Sequence, residues 1–300
     1  MKSVIDAIKR SIKEIICHHF PRIWFEILYK RQYGHRFNWN NPQDLIEKQR
    51  WIQFKTDISE WTRLADKYRV REYIEEKGYG DILVPLLGKW DNAYNIDFNK
   101  LPDSFILKTN HGYGEVIIVK NKTNVDVNSI RTDMDNYLHT PFGYGGAETH
   151  YLKIKPCIIA EELLVQDGEV PSSSLIDYKF YTFHGQPKYC AVFFNRDMTT
   201  HHAKCLLYDM NWHLVDSLTG GDMEIPRPST LDKMIGACQD LASQFPFVRM
   251  DFYEVNGKLY FGEFTFTPAA LNRNSSVFNS KRLIEWGKFM DFSIYKKSQC

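Results

Sequence analysis

The sequence has almost no excess of charge of either sign. Its 38 lysines and arginines stand against 37 aspartates and glutamates, so the formal net charge over 300 residues is +1. Proteins that bind nucleic acid usually carry a basic excess or a strongly basic face. The charge balance therefore argues against nucleic acid as a partner.

The sequence also has no metal-binding or redox pattern of cysteines. No two of its six cysteines form a C-x-x-C pair, and their spacing is irregular. In a chain of this length, such spacing predicts buried thiols rather than a zinc site, a redox pair or a disulfide framework. The six are Cys17, Cys157, Cys190, Cys205, Cys238 and Cys300.

Long hydrophobic runs are missing as well. No apolar stretch approaches the ~20 residues that a membrane-spanning helix needs. The N-terminus has no uncharged core followed by a small-residue cleavage site, which a signal peptide would require. We therefore expect a cytoplasmic protein.

What is present is the composition of an ordinary globular protein. Hydrophobic residues make up 43% of the chain and charged residues 25%, which excludes disorder and collagen-like repetition. The length suits one large domain or two, with a substantial core. The aromatic share of 15% is high and favours a strand-rich interior, with planar or carbohydrate-like ligands as a second interpretation.

Residues 3–17 predict an amphipathic helix. Their apolar side chains recur with helical spacing on one face, and the lysines and Arg10 lie elsewhere. Such a helix either caps the core or lies on the anionic inner face of a membrane or against a partner. The apolar positions are Val4, Ile5, Ile8, Ile12, Ile15 and Ile16.

The rest of the chain predicts an α+β fold with an antiparallel sheet in its second half. Irregular helices are expected over 20–65, and neither internal repeats nor low-complexity segments occur. The further predicted helices are 69–77, 125–139, 230–244 and 280–290. The predicted strands are 105–108, 116–119, 156–160, 178–183, 188–194 and 204–208, followed by a β-hairpin over 247–266.

A lysine followed by a glycine loop indicates a phosphate-binding site. Lys108 ends a predicted strand, and the loop His111–Gly114 follows it. Gly112 and Gly114 allow backbone N–H groups to approach a phosphate closely, and the lysine adds a positive charge beside them. The spacing is not that of a P-loop, and a plain hairpin turn explains the same residues.

Two further motifs place charged side chains at strand positions. Asp177 and Lys179 are two residues apart on a predicted strand and therefore share a face, either as a surface ion pair or as part of a site. The apolar run from Ile158 ends in Glu161 and Glu162. This pattern fits a solvated strand end or a hinge whose backbone groups bind a purine edge.

The hairpin over 247–266 carries the strongest chemical signal. Two carboxylates, Asp251 and Glu263, can share one sheet face, which suits a Mg²⁺ site that also holds nucleotide phosphates. Arg249 beside them can stabilise negative charge that develops on oxygen. The site requires the right register, and we predict a three-residue loop, 255–257, that places Arg249 opposite Glu263. A two-residue turn would instead bury Glu263 at a high desolvation cost.

Taken in order, these motifs resemble the ATP-grasp superfamily, and most closely its TupA-like branch. That branch is associated with teichuronopeptide and other bacterial surface-polysaccharide synthesis. The resemblance covers about two thirds of the chain. It is carried by the segments 66–88, 101–122, 154–164, 177–188 and 245–268.

The resemblance implies a residue for each part of ATP. Lys108 would contact the α-phosphate and the adenine side, and the earlier phosphate-binding cation would be Lys67 or, alternatively, Arg71. The loop His111–Gly114 would lie over the β- and γ-phosphates. The hinge for adenine and ribose would comprise Glu161, Glu162 and Leu164, and Asp177 would reach the ribose.

The resemblance also implies the catalytic and metal-binding residues. Asp251, Glu263 and Thr265 would be the Mg²⁺ ligands. Lys179 would contact the phosphates or the acyl phosphate, and Arg249 would stabilise the tetrahedral intermediate. The superfamily often has asparagine where this chain has Thr265, whose hydroxyl is a weaker ligand.

Two other departures concern the chain outside these motifs. The residues 267–272 read TPAALN instead of a Pro-Gly-Ser-Gly-like turn, so the acceptor side would be narrower or reshaped. Only about 65 residues precede Lys67, so the usual N-terminal α/β domain would be truncated or replaced by helices. We therefore expect a helical region over 1–65 and an ATP-grasp domain over 66–300, with a lid at about 100–155 and a large subdomain at about 156–300.

The resemblance implies an ATP- and Mg²⁺-dependent ligase. Such enzymes activate a carboxylate as an acyl phosphate, which an amine then attacks. We expect an amide between an amino acid and a uronic acid or related sugar of a capsule, O-antigen or teichuronopeptide. The alternatives are a phosphotransferase or glycosyltransferase-associated enzyme of the same pathway, or a non-catalytic nucleotide-binding scaffold.

Overall fold

The chain folds into two compact units. A computed structural model describes residues 13–167, 171–197, 200, 202–272 and 275–291. Unit 1 comprises Met1–Thr62, Pro141–Ile154 and Thr267–Cys300, and unit 2 comprises Arg63–Thr140 and Lys155–Phe266.

Unit 1 is helical. Residues 13–19 are helical, and the part of the predicted first helix over 3–12 lies outside the described residues. Three longer helices follow: α1 (Pro21–Tyr33), α2 (Leu45–Lys55) and, near the C-terminus, α7 (Ser280–Phe289). Helix α2 begins at a capping box formed by Asp44 and Glu47, in which each side chain accepts a hydrogen bond from the other residue's backbone. A shorter helix, α3 (Ser59–Ala65), runs across the end of the first segment.

The smaller sheet of unit 2 has four antiparallel strands. They lie in the order β1, β4, β2, β3, with bounds Leu86–Trp90 (β1), Phe105–Thr109 (β2), Val116–Val119 (β3) and Ile158–Glu162 (β4). Helix α5 (Val127–Leu138) covers one face, where Phe105, Leu107 and Met134 are fully buried. Because side chains alternate along a strand, Lys108 lies on the opposite face.

The larger sheet of unit 2 has six antiparallel strands in the order β10, β9, β5, β6, β7, β8. On β9, Val248, Met250 and Phe252 are fully buried, so the residues between them point to the other face. The bounds are Asp177–Phe183 (β5), Gln186–Phe194 (β6), Lys204–Tyr208 (β7), Leu214–Asp216 (β8), Val248–Val255 (β9) and Lys258–Thr265 (β10). The helices of unit 2 are α4 (Val70–Glu76), α5 and α6 (Leu231–Leu241).

The α+β fold class is confirmed, and so are the predicted helices and strands after residue 66, within a few residues at each end. The prediction missed β1 and β8, which are short strands of three to five residues. Five of the six cysteines are buried and free, as predicted, and Cys300 lies outside the described residues. Within the described ranges, no helix is both long and apolar enough to cross a bilayer.

The predicted register of the hairpin is wrong, although its consequence for the site is right. Asn256 and Gly257 form a two-residue turn, with φ of 53° and 72°, the conformation of a type I′ hairpin turn. From this turn Phe261 pairs with Phe252, but the next pair is Glu263 with Asp251. A bulge at Gly262 therefore absorbs one residue, and the two carboxylates share a face without a three-residue loop.

The domain division stays a prediction. The compact units separate near the predicted boundary at residue 65, but residues 141–154 and 267–291 group with unit 1. Strand β4 also belongs to the smaller sheet rather than to the larger one, because it pairs with β1 and β2. Strands that pair over long sequence separations cannot be assigned to a subdomain by position alone.

Candidate functional site

A row of charged side chains crosses the larger sheet. Lys179 on β5 lies directly opposite Asp251 on β9, which lies directly opposite Glu263 on β10. Directly opposed residues of an antiparallel sheet share a face. Lys179 forms an ion pair with Asp251, and Asp251 is only 2% exposed. The row therefore concentrates two carboxylates and a cation in a poorly hydrated place.

Arg249 joins the two carboxylates. Its Nε and one terminal nitrogen donate to Asp251 at 2.6 and 2.7 Å, and the same terminal nitrogen donates to Glu263 at 2.9 Å. That nitrogen also lies 2.9 Å from Thr265 Oγ1, and the Thr265 hydroxyl donates to Glu263 at 3.1 Å. In this structure Thr265 thus positions Glu263 and Arg249.

These contacts keep the site ionised. Burial opposes the charge of Glu263, but Lys67, Arg249 and Lys179 outweigh it and lower the pKa of Glu263 to about 2. Burial likewise works against the charge of Lys179, and Asp177 and Asp251 nevertheless hold the pKa of Lys179 above its usual value. Both groups are therefore charged throughout the neutral range.

Lys67 connects this row with the glycine loop. Its ammonium donates to the Gly112 carbonyl at 2.7 Å and lies 3.7 Å from Glu263 Oε2. Its backbone N–H donates to the Asn110 carbonyl, and the Asn110 side chain bonds Cys157 N and Lys155 O. Lys67, rather than the alternative Arg71, thus lies between the loop and the carboxylates.

Lys108, the predicted phosphate-binding lysine of the smaller sheet, forms an ion pair with Glu161 of the predicted nucleoside hinge. Lys108 lies 2.6 Å from Glu161 Oε2, and Arg71 donates to Glu161 Oε1 at 3.4 Å. Glu161 is 6% exposed. The two cations hold this carboxylate on the face of the sheet that α5 leaves uncovered.

The other predicted hinge residues differ from Glu161. Glu162 is exposed and, as the next residue of β4, points to the opposite face, so it offers this site its backbone only. Leu164 is half-buried and follows the end of the strand. The structure therefore separates the side chains of the two glutamates.

The glycine loop follows β2 directly. A Cβ on Gly112 would lie 1.8 Å from Glu115 Oε2 and 3.0 Å from Thr109 Oγ1, so any larger residue there would require the Glu115 side chain to move. Gly114 has a φ of +82°. His111 is buried, its Nε2 lies 3.3 Å from the Thr140 carbonyl, and burial lowers its pKa, which favours a neutral imidazole.

Asp177 closes the end of the row. It lies 3.8 Å from the Lys179 ammonium, and Arg196 donates to its Oδ2 at 2.8 Å. Tyr253 is hydrogen-bonded to Asp177. The negative charge of Asp177, together with burial, raises the pKa of the Tyr253 hydroxyl well above its usual value. Sequence reasoning missed Arg196 and Tyr253. The position of Tyr253, two residues beyond Asp251 on the same strand face, was the available signal for the tyrosine.

The donor set fits a divalent cation shared with phosphates. In the part of the chain that the structure describes, no three histidine, cysteine, aspartate or glutamate side chains come together as a metal-binding group. Mg²⁺, however, is commonly held by one or two carboxylates together with the phosphates of a nucleotide. Asp251 and Glu263 supply such a pair on adjacent strands.

The fold and this site define an ATP-grasp protein: two antiparallel sheets in one unit, with a lysine and a glycine loop on the smaller and a row of carboxylates on the larger. A family model described as TupA-like ATPgrasp matches residues 47–282. The chain therefore belongs to the TupA-like ATPgrasp family. The recognition made from the sequence is confirmed.

Solved structures of ATP-grasp ligases are similar to this chain at low sequence identity. D-alanine–D-alanine ligase from Bacillus anthracis complexed with ATP is 12% identical, with a TM-score of 0.44 over 87% of this chain and 78% of that chain. D-alanyl-alanine synthetase A from Vibrio cholerae O1 biovar eltor is 11% identical, with a TM-score of 0.46 over 84% and 70%. The ATP-grasp ligase PsnB, complexed with a minimal precursor, is 12% identical, with a TM-score of 0.43 over 79% and 64%. A search among curated proteins finds no match.

Proposed function

We propose that this chain joins a carboxylate to an amine through an acyl phosphate and forms its product for a bacterial surface polysaccharide. The observation that carries the reaction is the row of Lys179, Asp251 and Glu263 bridged by Arg249. Membership of the TupA-like family supports the pathway. The proposed substrates are an amino acid and a uronic acid or related sugar.

In the proposed reaction, a carboxylate oxygen attacks the γ-phosphorus of ATP and ADP leaves. The amine nitrogen then attacks the acyl carbon, the phosphate leaves, and the nitrogen loses a proton to give the amide. Mg²⁺, held by Asp251 and Glu263, would neutralise the phosphate oxygens. Asp251 would then exchange part of its pairing with Lys179 and Arg249 for this ion.

The cations of the chain would carry the remaining charge. Lys67 and Lys108 would bind phosphate oxygens on either side of the glycine loop. Lys179 would contact the phosphoryl group, first in ATP and then in the acyl phosphate. Arg249 would stabilise the oxyanion of the tetrahedral intermediate, since preorganised donors stabilise charge most strongly where water is excluded. Glu161, Leu164 and Asp177 would bind the nucleoside.

Hydroxylamine trapping tests the first half of the reaction without knowledge of the amine. The protein would be incubated with Mg-ATP, hydroxylamine and candidate amino acids or uronic acids, and the hydroxamate and ADP measured. We expect equal amounts of hydroxamate and ADP with the true carboxylate. Asp251→Asn and Lys179→Met should abolish both, whereas Lys188→Met, an exposed lysine on β6 of the same sheet, should not.

Two outcomes would overturn the proposal in different ways. A stable phosphorylated product without hydroxamate would indicate a phosphotransferase. Absence of Mg-ATP binding in a calorimetric titration would indicate a non-catalytic scaffold that has kept only the nucleotide-binding fold.

A further inference from the structure

Four large apolar side chains are exposed at the start of unit 1. Ile15, Phe20, Ile23 and Ile27 are 57%, 57%, 55% and 47% exposed, and they are called the N-terminal stripe here. Single exposed apolar residues are common on protein surfaces. A set that recurs along one short segment calls for a physical explanation.

The exposed residues of the N-terminal stripe are separate from the residues of α1 that pack into the core of unit 1. Helix α1 buries Trp24, Phe25 and Tyr29. Ile23 and Ile27 are one turn apart on α1 and therefore share a face, and Phe20 is the N-cap residue at the start of the same helix. The segment thus has two apolar faces, of which the core of unit 1 uses one.

Basic residues continue the exposed face. Lys30 and Arg31 follow Ile27 after one helical turn, and both are exposed. Among the described residues, no carboxylate forms a salt bridge with either of them. Lys13, exposed as well, lies at the other end of the stripe. The apolar face is therefore flanked by positive charges at both ends.

Charge is segregated along the chain in the same sense. Residues 1–36 contain eight lysines and arginines against three carboxylates, a net +5. The remaining residues contain 30 against 34, a net −4. The near-neutral total therefore conceals a basic N-terminal segment, and this segment carries the stripe.

We propose that the N-terminal stripe docks on an anionic lipid surface, independently of the ligase reaction. An apolar face flanked by Lys and Arg is the pattern of a helix that lies in the membrane interface. Anionic headgroups would pair with Lys13, Lys30 and Arg31, while Ile23 and Ile27 enter the boundary with the acyl chains. The helix lies on the bilayer and does not cross it.

Vesicle sedimentation of the full chain tests this proposal. The probes are vesicles of phosphatidylcholine alone and of phosphatidylcholine mixed with phosphatidylglycerol. We expect binding to the mixed vesicles that falls with added salt. The double variants Ile23→Ser/Ile27→Ser and Lys30→Glu/Arg31→Glu should each bind at least about tenfold more weakly. The matched control is Ile284→Ser, which changes an isoleucine of α7 that is 52% exposed.

The remaining outcomes each overturn the proposal. Binding to phosphatidylcholine vesicles as strong as to the mixed vesicles would show that the basic residues do not contribute. A loss of binding in Ile284→Ser as large as in Ile23→Ser/Ile27→Ser would show that the N-terminal stripe is not the docking surface. No sedimentation above background would exclude a lipid surface. Self-association that Ile23→Ser/Ile27→Ser abolishes would show that a second copy covers the stripe instead. Hydroxamate formation in solution should be unchanged in all these variants, so failure here is distinct from failure of the ligase proposal.

Discussion

At the scale of single residues, the site depends on Arg249. Asp251 is 2% exposed, and the charge of a carboxylate so deeply buried is stable only with close counter-charges. Arg249 supplies a planar set of donors that reaches both Asp251 and Glu263. A single ammonium group does not match this geometry, because lysine cannot donate in a fixed fork.

Arg249→Lys should therefore separate folding from catalysis. The charge is kept, so we expect the variant to fold. Its kcat for ADP release should fall about 10²- to 10³-fold, the usual effect of losing one preorganised donor. Steady-state kinetics together with circular dichroism would measure both effects. A folded Arg249→Lys variant with wild-type kcat would show that the fork of donors is dispensable.

Glu263 makes a testable contribution to acid stability. Its pKa is about 2 in the folded state, against an ordinary value of 4.5. A lowered carboxyl pKa stabilises the folded state above the unfolded pKa, and this stabilisation is lost as the pH falls from about 4.5 toward 2. We therefore expect Glu263→Gln to lower the free energy of unfolding at pH 6 by about 2 kcal/mol.

Urea unfolding of the two proteins at several pH values would measure this difference. The gap between wild type and Glu263→Gln should close as the pH approaches the folded pKa. A gap that is constant with pH would mean that the substitution acts through packing and not through charge.

At the scale of structural elements, the hairpin of β9 and β10 shows how register is set. Leu259 and Phe261 are buried before Gly262, and Phe264 and Phe266 are buried after it. The buried positions thus change from odd to even numbers at a glycine. This change requires a bulge, because regular alternation would expose one of the two pairs.

The sequence contained this signal, and the predicted three-residue loop overlooked it. That prediction treated the hairpin as regular from turn to end, so it had to shift the turn in order to bring Asp251 and Glu263 to one face. The apolar pattern of β10 fixes the bulge instead. The type I′ turn at Asn256 and Gly257 is then retained.

Substitution at Gly262 should be costly. A Cβ there would lie 3.0 Å from the Asp251 carbonyl oxygen and 3.2 Å from the Tyr253 ring. We expect Gly262→Ala to lower the free energy of unfolding by about 1–3 kcal/mol and to weaken Mg-ATP binding. Urea unfolding and calorimetry would measure the two effects.

The control for Gly262→Ala is a glycine with free space. Gly236 lies in the middle of α6, and a Cβ added there would have no neighbouring atom within 4 Å. Gly236→Ala should therefore stabilise the protein by about 0.5–1 kcal/mol, because alanine favours the helix. Equal destabilisation by both substitutions would contradict the bulge explanation.

At the scale of the whole molecule, unit 1 has a buried polar cluster of its own. Arg50 is fully buried and donates to Gln53 and to the Ala147 carbonyl. Burial raises the pKa of Glu148, although the positive charge of nearby Arg50 acts to lower it. The Thr267 hydroxyl donates a hydrogen bond to the same carboxylate. Polar groups so far from water make the segments of unit 1 depend on one another.

His150 should make unit 1 sensitive to mild acid. It is fully buried, and burial together with Arg50 lowers its pKa to about 3. Below its ordinary pKa of 6.5, the unfolded chain takes up a proton that the folded chain cannot, so stability falls with pH. The loss should be about 1 kcal/mol between pH 7 and pH 5.5. The raised pKa of Glu148 acts in the opposite sense, because the folded chain then holds a proton that the unfolded chain releases.

Hydrogen exchange at both pH values would measure this effect by segment. Residues 141–154 of unit 1 should lose protection, while β5 of unit 2 serves as the internal reference. His150→Phe should remove the dependence on pH. Equal loss of protection in both units, or an unchanged response in His150→Phe, would assign the acid sensitivity elsewhere.

The sequence by itself determined which side chains alternate along each strand, because that alternation follows from local backbone geometry. Asp177 with Lys179, and Arg249 with Asp251, were therefore placed on common faces, and the ordered motifs identified the family. Only the tertiary structure decided what lies across from them. Glu161 meets Lys108 and Arg71, and Asp177 meets Arg196, through strand pairings and loops that join distant parts of the chain. Such contacts depend on which distant strands pair and on loop closure, which no local pattern encodes.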